Sequence, residues 1–112
     1  MSDFKELTEA LVRFRDARNW EQFHNSKDLA VAIGIEAAEL NELFLWKTPE
    51  DCEEVNRTRI KEELADILAF ALLLANKHGF DIREIVLDKI KKNGEKYPVE
   101  KSKNIAKKYT DL

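Results

Sequence analysis

The chain contains one cysteine, Cys52. That excludes a disulfide framework and a cysteine-based zinc cluster, and a reducing, cytoplasmic setting is expected. Histidine is nearly as scarce, with His24 and His78 alone. Neither follows Glu36, Glu39, Glu63 or Asp66, the acids singled out below, at the Glu-x-x-His spacing of di-iron bundles, which argues against redox iron. The longest apolar run in the second half, Ile67 to Ala75, has nine residues, too short to cross a bilayer. The opening residues, Met1 to Glu6, lack the basic-then-apolar pattern of a signal peptide, so no membrane partner is expected. There is no strand signal. Strong net charge is also missing: the balance is −3, with 37% charged and 44% hydrophobic residues. This profile is neither disordered nor nucleic-acid-binding, and no nucleic-acid partner is expected. The 112 residues suffice for one modest core, and helical chains of this size often gain stability by association.

Two prolines and three glycines punctuate an otherwise helical pattern. Phe4, Leu7, Leu11 and Phe14 recur at helical spacing, so a first helix is expected from Ser2 to about Ala17. The helix is expected to weaken over Arg18 to Trp20, and Trp20 to Asn25 reads as an aromatic-rich connector, whose rings would ordinarily plug the core. Ser26 is expected to cap a second helix running to about Trp46. That helix is apolar on more than one side, as in helices buried on several faces or at a subunit interface. Thr48 and Pro49 mark a restart. A long third helix is expected to begin within 49–56, run to about Lys77 and stop at Gly79. Asp81 with Glu84 starts a fourth, weakened at Gly94 and ended by Pro98. Residues 99–112 read as a lysine-rich tail, extended or loosely packed, against a helical domain over 1–98.

Two acidic pairs break the amphipathic pattern. At about 100° per residue, Leu29, Ala32, Leu40 and Leu43 fall within about 40° of Glu36. Ile67, Phe70 and Leu74 fall equally close to Glu63. Glu36 with Glu39, and Glu63 with Asp66, therefore sit in the apolar stripes of two helices, where charge is ordinarily absent. One Glu-x-x-Glu on a helix usually marks a solvated face. Two pairs on two buried stripes point to a divalent cation, because uncompensated carboxylates are costly to bury. Oxygen-only ligation suits Mg²⁺, with Mn²⁺ as a substitute. Mg²⁺ commonly shares its shell with substrate phosphates, which points to phosphoryl chemistry.

Charge is unevenly distributed. Glu36 to Asp66 holds ten acids and four bases, and Lys89 to Lys108 holds eight lysines and two acids. Asn93 and Lys96 lie within about 40° of Lys89 on one helical face. As a set they read as phosphate ligands, although lysines near a helix C-terminus also suit its dipole. Trp20 and Trp46 stand at element ends and could stack on a base, with core filling as the ordinary alternative.

Together these residues resemble the MazG-like nucleoside triphosphate pyrophosphohydrolases. The resemblance rests on Glu36-x-x-Glu39, Glu62-Glu63-Leu64-Ala65-Asp66, and Lys89-x-x-x-Asn93-x-x-Lys96-Tyr97-Pro98. It narrows to the dCTP pyrophosphatase branch through Arg18 to His24, the run Glu39 to Trp46, and Lys108-Tyr109-Thr110-Asp111-Leu112. It implies an all-α, four-helix-bundle-like, oligomeric fold, as a homodimer or homotetramer with sites shared between subunits. The implied reaction is Mg²⁺-dependent conversion of a (d)NTP to (d)NMP and pyrophosphate, as nucleotide-pool house-cleaning. By position, Glu36, Glu39, Glu63 and Asp66 would hold metal, and Glu36 or Glu39 would also act on the attacking water. Lys89, Asn93, Lys96 and Tyr97 would bind phosphates, and Trp20, His24 and Trp46 would shape the base pocket. Two alternatives stand beside this reading: a non-catalytic metal- or nucleotide-binding regulatory module, and a purely structural oligomerisation bundle.

Overall fold

The structure, a computed structural model, describes residues 2–112. Among the described residues it is all-α, with helices α1 (Asp3–Ala17), α2 (Ser26–Glu42), α3 (Pro49–Cys52), α4 (Arg57–Lys77), α5 (Ile82–Lys96) and α6 (Val99–Ser102). Single 3-10 turns cover Glu21–Phe23 and Tyr109–Asp111. No described helix is long and apolar enough to cross a membrane. The chain folds as two compact units, one up to Gly79 and one from Phe80 to Leu112.

In the first unit, the Ser2 hydroxyl accepts the Lys5 N–H at 3.2 Å and starts α1. Asp3 and Glu6 in its first turn suit the helix dipole. Asn25, rather than the expected Ser26, caps α2: its side-chain oxygen accepts the Asp28 N–H at 2.8 Å. Ser26 does different work. Its Oγ lies 2.9 Å from His78 Nε2, fastening the start of α2 to the end of α4. The two helices therefore run antiparallel.

α2 ends at Glu42, four residues short of the expected Trp46. Leu43 and Leu45 N–H groups bond three residues back, to Leu40 and Glu42, and these tighter turns unwind the helix. The tightening turns Leu43 inward to 6% exposure. The expected third helix resolves into two. Thr48 and Pro49 start α3, and Asn56 then restarts the chain by accepting the Thr58 and Arg59 N–H groups at 2.8 and 3.3 Å. α4 has 21 residues, about 30 Å. It stops where Gly79 adopts φ 69°, a left-handed value that favours glycine.

α4 is the centre of this unit, with α2 and α1 both packed against it. Among the described residues the buried apolar side chains are few: Leu29, Leu43, Leu72, Leu73 and Ala75. Val31 and Ile35 on α2, and Leu64 and Leu68 on α4, are exposed. Within one chain α2 is thus covered along one stripe and not on several sides.

In the second unit, the Asp81 carboxylate accepts the Glu84 N–H at 2.9 Å and starts α5 as expected. The helix continues through Gly94 to Lys96 and ends before Pro98. Residues 99–112 are mostly exposed, as a loosely packed tail would be, but they are not extended. They form α6, a left-handed turn at Asn104 (φ 66°), and a last turn that sets the Tyr109 ring 5.9 Å from that of Tyr97. The aromatic contact supplies the packing that few aliphatic residues provide there.

Two substitutions should separate core from cap in urea unfolding. Leu29→Ala is expected to cost about 2–5 kcal/mol, and Asn25→Ala about 1 kcal/mol. Equal losses would show that Leu29 is not the pivot of this small core.

Candidate metal centre

The acidic pairs sit where the two most closely packed helices meet. Antiparallel packing brings the middle of α2 opposite the early turns of α4. Glu36 lies on the stripe of Leu29 and Leu43, and Glu63 on that of Ile67 and Phe70. Both acids are half-buried. Glu36, Glu39 and Glu63 each offer a carboxylate oxygen within 4.8 Å of the others. Asp66, one turn further along α4, contributes no atom to that set, but its charge bears on both Glu36 and Glu63.

Electrostatics reports the crowding. Glu36 is raised from 4.5 to about 7. Desolvation is the largest cause, followed by a proton shared with Glu39 and the charges of Glu39 and Asp66. Glu63 is raised as well, first by desolvation and then by Glu39. Glu36 Oε2 and Glu63 Oε2 are buried with no hydrogen-bond donor. Carboxyl groups this close bond to one another only when one is protonated, so with all ionised those oxygens have no partner. A half-buried cluster of acceptors lacking donors fits a divalent cation, whose oxygen ligands it supplies.

The phosphate candidates Lys89, Asn93 and Lys96 lie on α5, with Tyr97 directly after it, in the second unit. Lys96 Nζ is 4.9 Å from the Tyr109 ring centroid.

The base candidates are dispersed. Trp20 packs edge-on to Phe14 at 5.9 Å, and the Arg18 guanidinium lies 3.6 Å over the Phe14 ring. Phe23 in the same connector is 60% exposed and plugs nothing. His24 contacts the Phe70 ring at 6.5 Å. It also lines a cleft of about 290 Å³ with Arg15, Glu21, Leu29, Leu73, Asn76 and Lys77. No linear pattern marks this cleft, because its walls come from four separate segments. Trp46 is 94% exposed, at φ 61°. A bulky residue in the left-handed region is uncommon and costs on the order of 1 kcal/mol. Trp20 and Trp46 flank opposite ends of α2, whose 17 residues span about 25 Å. One chain does not bring them together.

A family model described as the MazG-like family matches residues 31–112. The dCTP pyrophosphatase 1 of Rattus norvegicus is 38% identical over 106 residues, covering 90% of this chain and 62% of that protein. Those of Bos taurus and Homo sapiens are 40% and 36% identical over the same length, with 63% and 62% of their chains covered. The chain thus spans somewhat under two thirds of these relatives. The crystal structure of a pyrophosphatase from Archaeoglobus fulgidus superposes with a TM-score of 0.83 at 38% identity, covering 88% of this chain and 94% of that one.

The raised Glu36 value has a signed consequence. Between pH 4.5 and about 7 the folded chain keeps a proton that the unfolded chain has lost. Stability of metal-free protein should therefore fall as pH rises through that window and level off above it. Melting temperatures in chelator should show this fall, Mg²⁺ or Mn²⁺ at about pH 8 should reverse it, and Glu36→Gln should flatten it. A metal-free melting temperature that rises across the window would contradict the burial of these acids.

Proposed function

The chain belongs to the MazG-like family, and on that premise we propose that it is a Mg²⁺-dependent nucleoside triphosphate pyrophosphohydrolase. Its substrate is a (d)NTP, a pyrimidine deoxynucleotide such as dCTP or a modified form, and its products are the (d)NMP and pyrophosphate. The observation that carries this reading is the convergence of Glu36, Glu39 and Glu63. The naming of the mammalian relatives as dCTP pyrophosphatases supports the substrate class. Removal of such nucleotides makes the enzyme a guardian of the nucleotide pool in the cytoplasm.

Glu36, Glu39, Glu63 and Asp66 hold the metal. When bound, Mg²⁺ supplies counter-charge for the phosphates and acidifies water. Glu36 or Glu39 orients the attacking water and accepts its proton. The α–β phosphoanhydride bond opens, the water oxygen stays with one product, and the bridging oxygen leaves with the other. Lys89, with Asn93, Lys96 and Tyr97, binds the phosphates and balances charge on the departing pyrophosphate. Trp20, His24 and Trp46 shape the base site.

Separation of the two tryptophans along α2 gives a reason for assembly. A single base cannot touch both from one chain, so a second copy supplies one of them, in a homodimer or homotetramer. The exposed Val31, Ile35, Leu64 and Leu68 are the apolar surface such an assembly would cover.

Incubation of purified protein with each dNTP and Mg²⁺ tests the proposal. Pyrophosphate release is expected, greatest for a pyrimidine deoxynucleotide. Glu63→Gln should lower the rate by at least about 100-fold, since even outer-sphere partners of a metal can cost that much. Orthophosphate as the product, or unchanged activity in Glu63→Gln, would overturn it.

A further inference from the structure

The C-terminal Lys108-Tyr109-Thr110-Asp111-Leu112 segment has no part in the mechanism above, yet it is folded back onto residues that do. Pro98 stops α5, α6 and the left-handed Asn104 redirect the chain, and the last turn returns Tyr109 to the end of α5. There its ring makes two contacts at once. Lys96 Nζ stands 4.9 Å from the ring centroid, within the range of a cation–π attraction. The Tyr97 ring meets Tyr109 at 5.9 Å and 81°, an edge-to-face pair.

Lys96 and Tyr97 are the two phosphate candidates least constrained by helical backbone, since α5 ends at Lys96. The Tyr97 N–H is already tied to the Asn93 carbonyl at 2.8 Å, so its main chain is fixed and only its side chain needs a support. Among the described residues no carboxylate forms an ion pair with Lys96 within the usual 4.0 Å limit. A lysine has four rotatable side-chain bonds, and ordering it on binding carries an entropic cost. An aromatic face that already restrains the ammonium lowers that cost.

We propose that Tyr109 is a positioning residue for phosphate recognition, its ring holding Lys96 and Tyr97 in the arrangement that meets the triphosphate. This rests on the pyrophosphohydrolase reading of Lys96 and Tyr97. It gives the C-terminal motif a purpose: the last turn of the chain is a brace for the end of α5.

The test is steady-state pyrophosphate release from dCTP with Mg²⁺ by the full chain, in wild type, Tyr109→Phe, Tyr109→Leu, Lys96→Met and the Lys96→Met/Tyr109→Leu double variant. Tyr109→Leu is expected to raise KM about 2- to 5-fold, the scale of one exposed cation–π contact, with kcat nearly unchanged. Tyr109→Phe keeps the aromatic face and should restore the wild-type KM. In the Lys96→Met background Tyr109→Leu should add less than it does alone. If the leucine variant melts below the assay temperature, Tyr109→Met, which keeps bulk without a ring, takes its place. An unchanged KM in the ringless variant overturns the proposal. So does a lowered KM, which would mean that the ring withholds Lys96, and so does a phenylalanine variant as impaired as leucine. A wild-type chain that releases no pyrophosphate from any nucleotide fails earlier and removes the enzymatic reading itself, and this inference with it.

Discussion

The carboxylates of Glu36 and Glu63 come together across the contact between α2 and α4, and each has a buried oxygen that accepts from no donor. The helices cannot separate without exposing Leu29, Leu72, Leu73 and Ala75, which make up most of the buried apolar core. Apolar burial pulls the pair closed, and the acids at its middle push against closure unless a positive charge joins them. A proton on Glu36 meets the need in part, which is why its value rises to about 7. A divalent cation meets it fully, and brings the charge that a triphosphate requires. Under the proposed function, stability and chemistry are linked at one place: the group that would relieve the fold is the group that would serve the reaction.

The rest of the first unit is arranged around that opposition. Asn25 caps α2, the Ser26–His78 bond fixes that same end against the end of α4, and Gly79 stops α4. These local devices set the register that lets position 36 face position 63. The small buried core leaves apolar side chains of both helices outward, and Trp46 is held away from the chain in a left-handed conformation. Backbone strain around an exposed aromatic ring is expected where function uses the ring, and the proposed assembly gives it a use.

Much of this was legible in the residues, for reasons that can be named. Helical spacing located α1, the long α4 and α5, and the Asp81–Glu84 pair marked the α5 start, because periodicity and capping are local. The carboxylates at 36, 39 and 63 were legible as neighbours because each lay on an apolar stripe, and two apolar stripes in a small helical chain must pack together. The cap of α2 was displaced by one residue: Asn25 and Ser26 both suit the position, and the choice was made by His78, 52 residues away in sequence. The end of α2 was misjudged because Leu43 to Trp46 continue the apolar pattern while the backbone tightens to bury Leu43. The folding-back of 99–112 depends on ring contacts between Tyr97 and Tyr109, which no periodicity encodes. The cleft around His24 joins four segments and has no linear signature at all.

The central claim is that the acidic cluster exists to hold a cation. Calorimetric titration of metal-free protein with Mn²⁺ at about pH 6.5, repeated in buffers of different ionisation enthalpy, addresses it most directly, because binding to a partly protonated cluster must expel protons. The account predicts saturable binding with proton release that fades as pH rises above about 7, and loss of both in Glu63→Gln. Binding without proton release, or binding that survives Glu63→Gln unchanged, would contradict it.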